Sequence, residues 1–121
     1  TINYYVKPHG FSNDAPAQLL NQIAEENDIV LTAIGDCGSC CSCCIRDAVS
    51  LEDRGIPSAA IITTEFVNET RLTREAIGMP DLRPVVIEHP VSSITDEEVN
   101  QRVQKIKVQA QEVWLGQRAD I

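Results

Sequence analysis

Three short apolar runs, Ile29–Ile34, Ala59–Ile62 and Val85–Ile87, constrain this chain more than any other feature. None alternates apolar with polar residues, as a strand with one wet face does. Each therefore predicts a strand covered on both faces, and such strands belong to parallel sheets. Parallel neighbours need long crossovers, usually helices, and the intervening segments have helical spacing. Ala15–Asn27 places Leu19, Leu20, Ile23 and Ala24 on one face. Ile45–Arg54 does the same with Ile45, Ala48, Val49 and Leu51, and is ended by Gly55 and Pro57. Thr70–Ile77 predicts a short helix stopped by Gly78 and Pro80. Thr95 and Glu98 form a capping-box pair that opens a last helix, whose Val99, Val103, Ile106, Ala110 and Val113 share a stripe. Ile2–Val6 predicts one further short strand and Lys7–Asp14 a loop. The expectation is a single α/β domain over residues 1–121, with a loosely structured N-terminal segment 1–14. It is a small three-layer domain of the Rossmann or flavodoxin-like kind, with a mainly parallel sheet of three or four strands.

At 121 residues there is room for one domain. Aromatics make up 4% of the chain, so the core must be built from Ile, Val, Leu and Ala. The formal net charge of -8, with no Lys/Arg cluster, repels phosphate backbones and anionic membrane surfaces, so neither nucleic acid nor membrane is expected as a partner. No apolar run approaches the roughly 20 residues that span a bilayer. Nothing in the first residues reads as a signal peptide, and the start at Thr1 rather than Met is read as trimmed or processed. A sheet this small predicts a homo- or hetero-oligomer with a partner subunit.

The five cysteines all lie between positions 37 and 44. A secreted disulfide scaffold spreads its cysteines so that bridges close long loops, and an odd number leaves one thiol over. The cluster instead predicts a reducing, cytoplasmic setting and a functional site.

In open α/β sheets, ligands bind beyond the carboxyl ends of the strands. Asp36 to Cys40 follow the first run, Thr63, Thr64 and Glu65 the second, and Glu88, His89 and Pro90 the third. Residues distant in sequence are thus expected at one edge. A cysteine at a helix start meets free N–H groups and the positive end of the dipole, which stabilise a thiolate. Gly35 and Gly38 allow a tight turn and close approach to a ligand. Cys37 is expected as nucleophile and Cys40 as its resolving partner. Cys44, beside Ile45, reads as a packing residue, whereas Cys41 and Cys43 point to different helix faces and stay undecided. His89 either caps a strand or serves as acid, base or ligand. Asp36 either caps the helix or belongs to the site. Thr63 and Thr64 either satisfy backbone groups or bind a ligand. His9 reads as solvated, Glu65 and Glu88 as surface carboxylates, and Trp114 as a packing or interface residue.

The stretch Gly35-Asp36-Cys37-Gly38-Ser39-Cys40, with Asp47-Ala48-Val49-Ser50-Leu51-Glu52, Gly55-Ile56-Pro57, Ile62-Thr63-Thr64-Glu65-Phe66 and His89-Pro90, resembles the UGSC-motif (seleno)protein family. More distantly, the order of thiol motif, Gly-Ile-Pro, Thr-Thr and His-Pro is similar to the selenoprotein B subunits of glycine, sarcosine and betaine reductases. The resemblance implies that Cys37 occupies the selenocysteine position, where a soft, easily ionised nucleophile is wanted, and that Cys40 is the second thiol. The thiol-rich Cys41-Ser42-Cys43-Cys44 departs from that pattern.

Three functions follow as expectations. One is a reductase-like enzyme or subunit acting on a small-molecule substrate through Cys37 and Cys40, with His89 and Asp36 catalytic and Gly38, Ser39, Thr63 and Thr64 binding. A second is a hydratase or lyase whose transition metal or iron–sulfur cluster is held by Cys37, Cys40, Cys41 and Cys43. For this reading, Cys41-Ser42-Cys43 is similar to the nitrile hydratase metal loop, although Gly38 stands where that loop has its upstream cysteine. The third is a non-catalytic thiol or metal carrier subunit.

Overall fold

The computed structural model describes residues 2–8, 13–91 and 93–116; His9 lies outside them. Its elements are α1 (Ala17–Glu26), β1 (Val30–Gly35), α2 (Gly38–Asp53), β2 (Ser58–Thr63), a 3₁₀ turn (Thr64–Phe66), α3 (Val67–Ala76), β3 (Val85–Ile87) and α4 (Asp96–Trp114). The three strands pair in parallel in the order β1-β2-β3. Spatial order is sequence order, so the sheet contains no reversal of direction among its neighbours.

The central strand explains the layers. Every residue of β2 is buried. Ala60 packs with Ile45, Ala48, Val49 and Cys44 of α2 and with Leu82, while Ala59 and Ile61 face the other way, onto Val85, Ile87, Ala110 and Val113. Alternate residues of one strand thus feed two cores, one beneath α2 and α3 and the other beneath α4. Full burial of side chains such as Ile45 contributes about 1.5–3 kcal/mol each. The result is the expected three-layer α/β arrangement with a parallel sheet.

β1 corrects the expectation of a strand covered on both faces. It is an edge strand and its burial alternates, leaving Leu31 44% exposed. Its register with β2 also slips. Thr32 faces Ala60 and Gly35 faces Ile62, so three steps on β1 match two on β2. An inserted residue changes which face the next side chain meets. Val30 packs beside Leu20 and Ile23 of α1, whereas Ile34 reaches the α4 core.

Residues 2–7 form no strand. Ile2, Tyr4 and Val6 stand in solvent, while their polar neighbours are tied to the domain. Asn3 bonds Asn27, Tyr5 bonds Glu26 and Asn27, and Lys7 pairs with Asp47. The apolar residues here lack a facing layer.

α4 opens on the expected capping box. Thr95 Oγ1 accepts from Glu98 N and Glu98 Oε1 accepts from Thr95 N, both at 3.2 Å. The expected stripe holds only in its second half, because Val99 and Val103 are exposed. Arg102 is buried in that first half instead, donating to the carbonyls of Glu88 and Glu98. It ties α4 to the end of β3. Trp114 Nε1 donates to Val30 O at 3.0 Å, which joins the end of α4 to β1.

Candidate functional site at the carboxyl edge of the sheet

α2 starts seven residues earlier than its apolar spacing suggests, at Gly38, because Cys37 caps it. Cys37 is extended, at φ -149° and ψ 168°, and its Sγ accepts from Cys40 N at 3.1 Å. Of the two readings of Asp36, the helix cap is therefore ruled out. Sulfur takes the place usually filled by a Ser, Thr, Asn or Asp oxygen. Cys37 and Cys40 form a disulfide with their Cα atoms 5.1 Å apart. Cys37 is half-buried, and Cys40, on the inner side, is 2% exposed. Gly38 and Ser39 between them face solvent, and Ser39 Oγ lies 3.7 Å from Cys37 Sγ.

The two glycines differ. A Cβ on Gly35 would stand 2.7 Å from Ile62 Cγ2 and 3.0 Å from Cys41 Cα, so Gly35 lets β1, β2 and α2 close on one another. Its close approach is to protein rather than to a ligand. A Cβ on Gly38 would meet nothing within 4 Å. The surface beside the disulfide is open.

The ends of the other two strands supply an imidazole and its holders. Thr63, at the end of β2, is fully buried, and its Oγ1 lies 2.9 Å from His89 Nδ1. Thr64 Oγ1 accepts from His89 N at 3.3 Å. Asp36 Oδ1 is 3.2 Å from the same Nδ1. That is a close approach rather than an aligned hydrogen bond, since this buried oxygen receives no donor in good geometry. A lone pair on Nδ1 would face a carboxylate oxygen, so the proton belongs on Nδ1, directed at Thr63. Nε2 is then the ring nitrogen left for proton exchange. Phe66 presents its ring edge-on to His89, with centroids 5.9 Å apart. The structure thus brings Asp36, Thr63, Thr64 and His89 together, with Asp36 next in the chain to Cys37. Phe66 was missed by sequence reasoning, although it sits in the Thr63–Phe66 stretch. Glu88 points away, to Lys105 at 2.6 Å.

The remaining cysteines do not join this edge. Cys41 is fully buried and lies 2.9 Å from Thr70 Oγ1, whose hydroxyl donates to Phe66 O. Burial pushes the Cys41 thiol up, and the Thr70 contact partly offsets it. Cys43 is raised by burial and then by its bond to Asp14. Cys44 is pushed up to about 12, chiefly by burial. All three are protonated thiols at neutral pH. Cys41 faces α3, Cys43 faces Asp14, and Cys40 is bonded to Cys37, so the four sulfurs expected around a metal point different ways. Among the described residues, no three His, Cys, Asp or Glu side chains are grouped to hold a metal ion. No described helix is long and apolar enough to cross a membrane.

Searches of curated proteins and of solved structures found no match. The family model described as UGSC family matches residues 1–116. That span takes in the capped Cys37-Gly38-Ser39-Cys40 turn and the threonines and histidine gathered beside it, and on it the chain belongs to the UGSC family.

Proposed function

We propose that the protein is a thiol-dependent redox enzyme, or the thiol-bearing subunit of one, acting on a small-molecule substrate. One observation carries this reading: a half-buried sulfur at the N-cap of a 16-residue helix, bonded to a buried sulfur one turn later. The reduced pair has the asymmetry that thiol exchange needs, with one sulfur accessible and its partner within reach. The Cys37 thiolate keeps the Cys40 N–H as a donor and lies at the positive end of the α2 dipole.

In this reading the Cys37 thiolate attacks a soft electrophilic centre, and the leaving group departs with the bond's electron pair and a proton from His89. Cys40 then attacks the Cys37 sulfur, closing the disulfide and releasing the reduced fragment, which takes up the Cys40 proton. The substrate gains two electrons, the two thiols lose two, and an external dithiol restores the pair. Asp36 and Thr63 hold the imidazole in the tautomer that exchanges its proton at Nε2.

The test uses reduced protein and 5,5′-dithiobis(2-nitrobenzoate). Wild type releases two equivalents of thionitrobenzoate and ends as the Cys37–Cys40 disulfide. Cys40→Ser releases one and retains a mixed disulfide, which peptide mapping places on Cys37. A label on Cys41, Cys43 or Cys44 in the folded protein, or none, overturns the reading.

A further inference from the structure

A second concavity lies away from the cysteine edge. A cavity of about 480 Å³ lies between residues 2–7, α1 and β1, with Leu51 of α2 and Trp114 of α4 in its wall. None of Asp36, Cys37, Cys40, Thr63 or His89 lines it. Its volume falls in the range of about 300–1,000 Å³ typical of small-ligand sites. Leu20, Ile23, Val30 and Leu31 make most of its lining apolar. Residues 2–7 cross it as a strap held by side chains, at Asn27, Glu26 and Asp47.

Hydrogen-bond accounting shows which kind of polar group the cavity can still receive. Asn27 takes Asn3 on its oxygen and gives its nitrogen to Tyr5 Oη and Ile23 O. Tyr5 Oη donates to Glu26, Thr32 to Cys44 O, and Trp114 to Val30 O. Both oxygens of Asp47 are engaged, Oδ2 by Lys7 Nζ at 3.0 Å and Oδ1 by Ala15 N at 2.9 Å. Lys7 differs. Its ammonium carries three donors, its side chain is only 16% exposed, and its bond is to Asp47. Lys7 thus brings unused donor capacity on a cation to a wall that is mostly apolar.

We propose that this cavity binds an amphipathic small molecule, an aliphatic body ending in a carboxylate that bonds Lys7. The carboxylate would share the ammonium with Asp47, and the chain would lie along Leu20, Ile23 and Leu31 under the strap. This site is independent of the cysteine edge and does not rest on the redox reading.

Trp114 is the single tryptophan of the chain and lines the cavity, so its emission reports occupancy. Full-length protein is titrated with octanoate, octanol and octylamine, and its melting temperature is read in parallel. Octanoate shifts Trp114 emission saturably and raises the melting temperature, and octylamine binds at least about tenfold more weakly, as the loss of one charge-assisted bond implies. Lys7→Met removes the preference for octanoate over octanol. Leu31→Glu, at a half-exposed position that tolerates a charge, weakens octanoate more than octanol and guards against misfolding of the Lys7 variant. No saturable response to any of the three, or equal responses unaffected by Lys7→Met, overturns the proposal.

Discussion

The Thr63 hydroxyl lies 2.9 Å from His89 Nδ1, and the threonine is completely buried at the end of the central strand. The ring is thereby held from a fully buried strand, while Asp36 lies 3.2 Å away. Thr63→Val keeps the shape and removes the partner, and it should slow reaction of the Cys37 thiol with a disulfide probe by roughly tenfold or more if His89 supplies the proton. Thr63→Ser should retain most of the rate. The rate against pH for the two variants, together with the ¹⁵N shifts of the His89 ring, checks this. Identical profiles would separate His89 from the chemistry.

Gly35 and Gly38 should respond oppositely to alanine. Gly35→Ala must displace Ile62 or the α2 backbone, which costs about 1–3 kcal/mol as overpacking does. Gly38→Ala enters open space in the first turn of a helix and should change stability by no more than about 1 kcal/mol, in the favourable direction. Urea unfolding of the two variants is the measurement.

Three thiols should be silent in the folded state. Cys41, Cys43 and Cys44 are all shifted upward by burial. Cys40, at 2% exposure, is sheltered too, so iodoacetamide at pH 8 should label one cysteine, the half-buried Cys37, in reduced native protein and all five after unfolding. Mass spectrometry of the intact chain counts them.

Stability should fall at high pH. The Cys44 thiol is held near 12 when folded and near 9.0 in the unfolded chain, so between these values the unfolded state has lost a proton that the native state keeps. Fewer protons on the unfolded chain make unfolding easier as pH rises. This contribution is complete below pH 9 and is lost as pH climbs toward 12. The urea midpoint should drop through that window, and Cys44→Ala, although less stable at pH 7, should show a shallower drop.

Thr95→Ala removes one half of a reciprocal cap and should cost about 0.5–2 kcal/mol. Circular dichroism through thermal unfolding reads it.

The layers were legible because they follow from apolar periodicity. β2 and β3 lie where the runs at Ala59–Ile62 and Val85–Ile87 put them, and α4 starts at its capping box. β1 misled because an apolar edge strand and an apolar central strand look alike in one sequence. Only its neighbours decide, and they leave Leu31 44% exposed. Apolar spacing alone begins α2 only at Ile45, whereas reading Cys-x-x-Cys as a helix start puts its first turn at the motif, where it lies; that Cys37 itself is the cap was not legible, because cysteine is not a usual cap. At the site, strand ends were enough to bring Asp36, Thr63, Thr64 and His89 to one edge. The roles of the threonines were not, since a hydroxyl that aims a ring and one that satisfies a strand end are the same residue in the sequence. Arg102, Phe66 and the Lys7–Asp47 pair needed packing to be seen, because each acts across elements far apart in the chain.

Gly38 and Ser39 are exposed, and nothing would crowd a Cβ on Gly38, so the turn that carries the disulfide is open to water. In the proposed reading, a reaction at that turn has to tolerate surrounding water. Sulfur exchange satisfies that condition, because a thiolate outcompetes surrounding water for soft centres without having to exclude it.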